Sequence, residues 1–223
     1  MTTRPANDEE SSLPLRERKK LRTRRSLADT ALRMFLERGY HEVTLEELVS
    51  TVEVSMRTFF RYYSSKEEVA MAAENELWDA YAEEVARRKP AGPVLAHLRE
   101  CYAAAVRGRS ADWTERYLAC RGLAARTPAL RVYHAGTTQD LQLRIIETLE
   151  REFDTDSRAD VRLRLIADMA LASVRYGTKN WMRAHRNTGR PGDAESLIDE
   201  VALAFGALPS ALTLSADPPP DSA

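Results

Sequence analysis

Residues 44–69 read TLEELVSTVEVSMRTFFRYYSSKEEV, and the fold of the N-terminal third follows from how that stretch is punctuated. Thr44-Leu45-Glu46-Glu47 has the form of a capping box, in which the threonine caps a helix and the glutamate three residues on reaches back to it. The helix it opens is short and carries Leu45, Leu48, Val49 and Val52 on its apolar side. After Glu53-Val54, Ser55 caps a second short helix, Met56 to Tyr63. Ser65-Lys66-Glu67-Glu68 is a further capping box and opens a helix over 66–88. Two short helices joined by a tight turn, set between longer ones, make a helix-turn-helix.

The second short helix decides what that motif does. Each residue advances about 100°, so Phe59 and Tyr63, with Val54 just before, share one side and pack inward. Arg57 and Arg61 project almost directly opposite. Two arginines one turn apart on an exposed helix suit the major groove, where Arg pairs with guanine O6 and N7 through two hydrogen bonds. Taken alone, the pair reads equally well as solvated surface. Met56, at the helix start, suits either a thymine methyl or the core.

Upstream, a helix spans about Leu15 to Arg38, with Leu27, Ala31, Met34 and Phe35 as its apolar stripe and Gly39 as its stop. Its first half is basic: Arg16, Arg18, Lys19, Lys20, Arg22, Arg24 and Arg25, interrupted by Glu17. Cations at a helix N-terminus oppose the macrodipole, a cost that contact with an external phosphate offsets. Residues 11–66 hold 12 basic and 7 acidic side chains in a chain of net charge −1. A basic head therefore sits on an acidic body, as expected where one end meets a polyanion.

The chain has 223 residues, 43% of them hydrophobic and 30% charged, enough for one or two cores. Its scarce Pro and Gly gather at the termini, at 90–93 and at 189–192, and the rest is rich in helix formers. The fold class is all-α. Further helices are expected near 92–107, 110–126, 128–153, 157–187 and 193–207. Residues 1–14 and 209–223 read as disordered arms. Cys101 and Cys120 offer no disulfide framework or metal spacing and read as buried thiols. No secretory signal or membrane span is apparent, which leads us to expect a cytoplasmic protein. No cofactor or metal is called for.

The stretch 44–69 resembles the DNA-binding segment of TetR-family transcriptional regulators, whose pattern runs T-x-x-x-[IL]-A-x-x-A-G-V-S-x-x-T-[LF]-Y-x-[YH]-F-x-S-K-E-x-L. Thr44, Leu48, Val54, Ser55, Thr58, Phe59, Tyr62, Ser65, Lys66 and Glu67 match it. Phe35-Leu36-Glu37-Arg38-Gly39-Tyr40 is similar to the end of the family's first helix. The resemblance covers about residues 20–70. It implies phosphate contacts by Thr44, Tyr62 and Lys66, and a recognition helix beginning at Ser55 that brings Met56, Arg57, Thr58 and Arg61 to the groove. Three departures from the pattern matter. Glu53 stands where the family has Gly, which costs roughly 1 kcal/mol if the turn is left-handed there. Val52 replaces an Ala, and Phe60 replaces a Tyr and so has no hydroxyl for a phosphate.

The resemblance further implies a three-helix head (15–66) and a helical effector-binding and dimerisation body (67–208), acting as a homodimeric repressor on double-stranded operator DNA. Val161, Leu165, Met169, Ala172 and Tyr176, and Leu197, Val201, Ala204 and Phe205, form apolar stripes that suit either a dimer interface or the subunit's own core. Trp113, Tyr117, Cys120, Tyr133, His134, Gln139, Tyr176 and Trp181 combine aromatic bodies with polar tips and suit either an effector pocket or plain core. Few charges interrupt those faces, so the expected effector is small and apolar or amphipathic. His97 and His185 read as surface residues. No phosphate loop, H-E-x-x-H or G-x-S-x-G occurs, which argues against an enzyme. The competing reading is a helical small-molecule-binding or interaction protein without operator binding.

Overall fold

The computed structural model describes residues 14–188 and 192–215, and among these it is helical with no strand. In chain order the helices are α1 Leu15–Arg38, α2 Leu45–Thr51, α3 Met56–Tyr62, α4 Lys66–Ala70, α5 Ala72–Arg87 and α6 Val94–Arg107. They continue as α7 Trp113–Arg126, α8 Pro128–Phe153, α9 Arg162–Thr188, α10 Ala194–Gly206 and α11 Leu208–Leu212. No helix among the described residues is long and apolar enough to cross a membrane.

α1 lays Leu27, Ala28, Ala31, Leu32, Met34 and Phe35 inward. It stops at Gly39, whose φ of 97° lies in the region glycine adopts without a Cβ clash. Its apolar face packs on α2 and α4, and also on α7 of the body. The body is centred on α5, which is buried on most sides and packs against α6, α7 and α8. α9 and α10 form the most intimate pair. A Cβ on Gly177 would stand 2.5 Å from the Val201 Cα and 2.8 Å from the Glu200 carbonyl oxygen. The missing side chain therefore lets one helix backbone seat against the other. Trp181 Nε1 donates to Ser196 Oγ at 3.1 Å across the same seam.

The structure departs from expectation at four places. The helix expected over 66–88 breaks at Met71, a wholly buried residue with φ −102° and ψ 16°. The side chain of Asn75 reaches back over the break, its Nδ2 lying 3.5 Å from the Glu68 carbonyl oxygen. α9 starts at residue 162 rather than 157, because Asp156 and Asp160 accept the backbone N–H groups of Arg158 and Arg162 and hold turns there. Leu208–Leu212 is a helix within the tail expected to be disordered from residue 209; the rest of that tail from 216, and the arm 1–13, lie outside the described residues. His97, expected at the surface, is buried beside Cys101, with Nε2 3.5 Å from the thiol sulfur. Burial lowers the His97 pKa and raises that of Cys101 to about 11, so both are neutral packing groups.

Gly177→Ala should lower the unfolding free energy by about 2–3 kcal/mol, because the atoms its Cβ meets are backbone and cannot rotate away. A denaturant midpoint equal to wild type would show that α9 and α10 can separate freely.

Candidate nucleic-acid interface

The first helical pair of the head is built by its caps. Thr44 Oγ1 accepts the Glu47 backbone N–H at 3.1 Å, and Glu47 Oε2 accepts the Thr44 N–H at 2.9 Å. Arg38 donates to the other carboxylate oxygen at 2.8 Å, and this bond above all holds Glu47 below the usual carboxylate range. The chain then turns through Glu53 at φ 58°, in the left-handed region, and the Val54 N–H returns to the Val49 carbonyl at 2.9 Å. Ser55 Oγ caps α3 by accepting the Thr58 N–H at 3.1 Å.

The inner side of α3 is anchored at two points. Phe59 has no solvent exposure, and buried Tyr63 donates its hydroxyl to the Arg24 carbonyl of α1 at 2.9 Å. With that side fixed inward, Arg57, Phe60 and Arg61 form an exposed face at i, i+3 and i+4. Phe60 is 55% exposed, a large apolar group on an otherwise cationic surface. Met56 and Tyr62 are half-buried and packed against the core. Arg61 lies over the Tyr62 ring, 4.9 Å from its centre, and donates to its hydroxyl at 3.2 Å.

Beside this face, α1 and α3 form an open cleft of about 500 Å³ lined by Arg16, Lys19, Lys20 and Thr23 from one helix and Arg61 and Tyr62 from the other. Glu17 contributes the cleft's one carboxylate, 3.8 Å from Lys20 Nζ. Four cations around one acidic group make a site for a polyanion rather than for a neutral ligand. Lys66 sits differently. Its ammonium lies 4.4 Å from the centre of the Tyr40 ring and 5.4 Å from that of Phe35, and burial lowers its pKa. Tyr40 in turn donates to Glu67 at 2.6 Å.

The body residues singled out in the sequence divide into three groups. Trp113, Tyr117, Cys120 and Trp181 lie in closed core. There Trp113 stacks on Tyr117 with ring centres 4.6 Å apart and donates its indole N–H to the Ala73 carbonyl at 2.8 Å, and burial raises the pKa of both Cys120 and Tyr117. Tyr133 and His134 are half-buried against α5. Tyr133 accepts from Asn75 at 3.0 Å, its pKa pushed up to about 12 by burial, and His134 Nδ1 lies 2.9 Å from Glu74 Oε2. Gln139 and Tyr176 are exposed and belong to neither set. The open space in the body lies next to these groups, in a cleft of about 510 Å³ between α7, α8 and α9. No group of His, Cys, Asp and Glu among the described residues could hold a metal ion.

Residues 27–73 match the family model described as bacterial regulatory proteins, tetR family. The HTH-type transcriptional regulator TcmR of Streptomyces glaucescens is 32% identical over 173 residues, covering 75% of this chain and 76% of TcmR. The chain belongs to the TetR family of bacterial transcriptional regulators. Two solved structures share its fold. A putative TetR-family transcriptional regulator from Mesorhizobium loti is 16% identical with a TM-score of 0.52, covering 86% of this chain and 97% of that one. Another from Syntrophomonas wolfei, also 16% identical with a TM-score of 0.52, covers 88% and 98%. TetR-family regulators bind operator DNA, respond to small-molecule effectors and form homodimers; they are not enzymes.

For this TetR-family chain, sequence reasoning assigned α3 and the basic start of α1 separately and missed that they converge on one cleft. Phe60 was noted only for its lost hydroxyl. Its spacing from Arg57 already placed it on the outward face.

Glu53→Gly should raise the unfolding free energy by about 0.5–1 kcal/mol, the left-handed penalty less the extra freedom glycine gives the unfolded chain. A urea midpoint unchanged or lowered, at constant slope, would mean that the turn holds no strain.

Proposed function

We propose that this TetR-family regulator is an operator-binding repressor whose recognition helix is α3, with Arg57 and Arg61 reading guanine edges in the major groove. The observation carrying this reading is the division of α3 into a wholly buried Phe59 side and an exposed Arg57–Phe60–Arg61 side. Phe60 adds an apolar edge suited to a thymine methyl. Thr58 stands beside the arginines, Met56 supports them from the half-buried side, and Ser55 fixes where the helix begins. Phosphate contacts fall to Arg16, Lys19, Lys20 and Tyr62 at the cleft, to Thr44 at the start of α2, and to the aromatic-seated Lys66. The head, 15–66, and the body, 67–208, are the functional units of this reading.

Two heads are needed to read half-sites about one DNA turn apart, and the exposed apolar groups on α9 supply a pairing surface. Val161, just before α9, and Leu165, in its first turn, are each about half exposed on one side, and Leu203 of α10 is exposed as well. Tyr176, about three turns further along, carries Arg175 and Lys179 over its ring and is left out of this surface. Leu197, Val201 and Phe205, the alternative stripe on α10, are buried within the subunit instead. Occupation of the body by an effector then disfavours the head spacing that fits DNA, to the extent that the effector prefers the other state.

Arg57→Ala should cost about 1–3 kcal/mol on operator DNA and relax discrimination at particular base pairs. Lys20→Ala should weaken all sequences alike and reduce the salt dependence of binding by about one ion. Gel-shift titrations of DNA from upstream of the gene, against scrambled DNA at several salt concentrations, check both. Equal losses on both DNAs for both variants would contradict the division between base-reading and phosphate-holding residues.

A further inference from the structure

Five cations, Arg121, Arg131, Arg175, Lys179 and Arg183, line the 510 Å³ cleft of the body together with His134, and no carboxylate does. Arg175, Lys179 and Arg183 follow one another at four-residue spacing, so they share one face of α9 and repel. Elsewhere the helices pair their charges: Glu84 holds Arg87 and Arg88, and Arg116 holds Glu76. In this cleft, among the described residues, Arg131, Arg175, Lys179 and Arg183 form no ion pair with a carboxylate. Arg131 donates to the Ala125 carbonyl, while Arg175 and Lys179 lie over the Tyr176 ring at 5.0 and 5.5 Å.

The cleft is also partly apolar. Ala124, Ala125 and Met182 contribute to its wall. A void of about 20 Å³, bordered by Tyr117, Leu171, Val174 and the Glu74 carboxylate, shares Arg121, His134 and Arg175 with it. Arg121 stands where the two meet. Its Nη1 donates to Glu74 Oε1 at 2.7 Å and lies 3.0 Å from His134 Nδ1, and its Nε is buried without an acceptor. A donor left in that state is costly, and an anionic oxygen relieves it. The volume is that of an ordinary small-molecule site.

We propose that this cleft takes a small organic anion with an apolar body, its charged group seated among Arg121, Arg175 and Lys179, and that this anion is the regulator's effector. Anion binding stands on the cleft alone; the anion's role as effector rests also on the proposed repressor function. The expectation of an apolar or amphipathic ligand thereby narrows to an amphipathic acid. The route to the head is short. Glu74, wholly buried, lies in the first turn of α5, just past the Met71 break that joins α5 to α4 and the head. An anion at Arg121 competes with Glu74 for the guanidinium and loosens the body at that joint.

The test uses 8-anilinonaphthalene-1-sulfonate as an amphipathic anion and N-phenyl-1-naphthylamine as its uncharged counterpart. Both are titrated by fluorescence into the full chain, wild type and the surface variants Arg183→Gln and Arg175→Gln/Lys179→Gln, with melting followed by circular dichroism. The sulfonate should saturate at about one per chain and bind at least tenfold more weakly to the double variant, with a smaller loss for Arg183→Gln. The uncharged probe should bind all three proteins alike. Sulfonate binding of equal strength in all three, or equal losses for both probes, would overturn the proposal. Gel shifts of the wild type with and without sulfonate separate anion binding from repression. Charge-dependent probe binding in a protein that shifts no DNA keeps the anion site and removes the repressor reading. A DNA shift with charge-independent probe binding removes the anion site alone.

Discussion

Phe59 is a single side chain with no solvent exposure, and the orientation of the whole recognition surface hangs on it. Burying a phenyl ring stabilises by about 2–3 kcal/mol, and a seven-residue helix has little else to fix its rotation. Tyr63, one turn on, adds a hydrogen bond to α1. With these two turned inward, a period of 3.6 residues leaves Arg57, Phe60 and Arg61 in water. The caps at Ser55 and Thr44 then set where each short helix begins, and so the register in which those side chains are presented.

The head is attached to the body by ion pairs, by apolar packing and by the chain itself. Arg25 pairs with Asp112 and Asp29, and Asp29 lies 3.8 Å from Arg116, across the boundary between α1 and α7. Several of these groups are more than a third exposed, and such pairs contribute at most about 1 kcal/mol each. The apolar face of α1 packs on α7 and α4 packs on α8, and the chain itself crosses at the α4–α5 joint at Met71. A change in the body reaches the head through these contacts, as a coupling free energy between effector and DNA sites requires.

Local signals made most of this legible in the sequence. The capping boxes, the Gly39 stop and the spacing of Phe59 from Arg57 each act within a turn or two of helix, and the structure places α1, α2 and α3 where they direct. What stayed hidden depends on packing between distant segments. The apolar periodicity of α10 is the same whether Leu197, Val201 and Phe205 face a partner or the subunit's own core. Met71 breaks a helix whose sequence has no Gly or Pro to announce it, and on its two sides α4 packs against α1 while α5 packs within the body. The aromatic residues of α7 and α9 carried the right composition for a pocket, but they stack on one another. The open space formed beside them, lined by arginines whose convergence from three helices no local pattern records.

Methylation interference at guanine N7, on any upstream fragment that the protein retains in a gel, tests most directly whether α3 reads bases from the major groove. Interference should fall in two symmetric clusters about one helical turn apart, and Arg57→Ala should erase its share in each. A retained fragment without guanine interference, or with a single unpaired cluster, would contradict an α3 that turns its arginines to the bases and is presented in pairs.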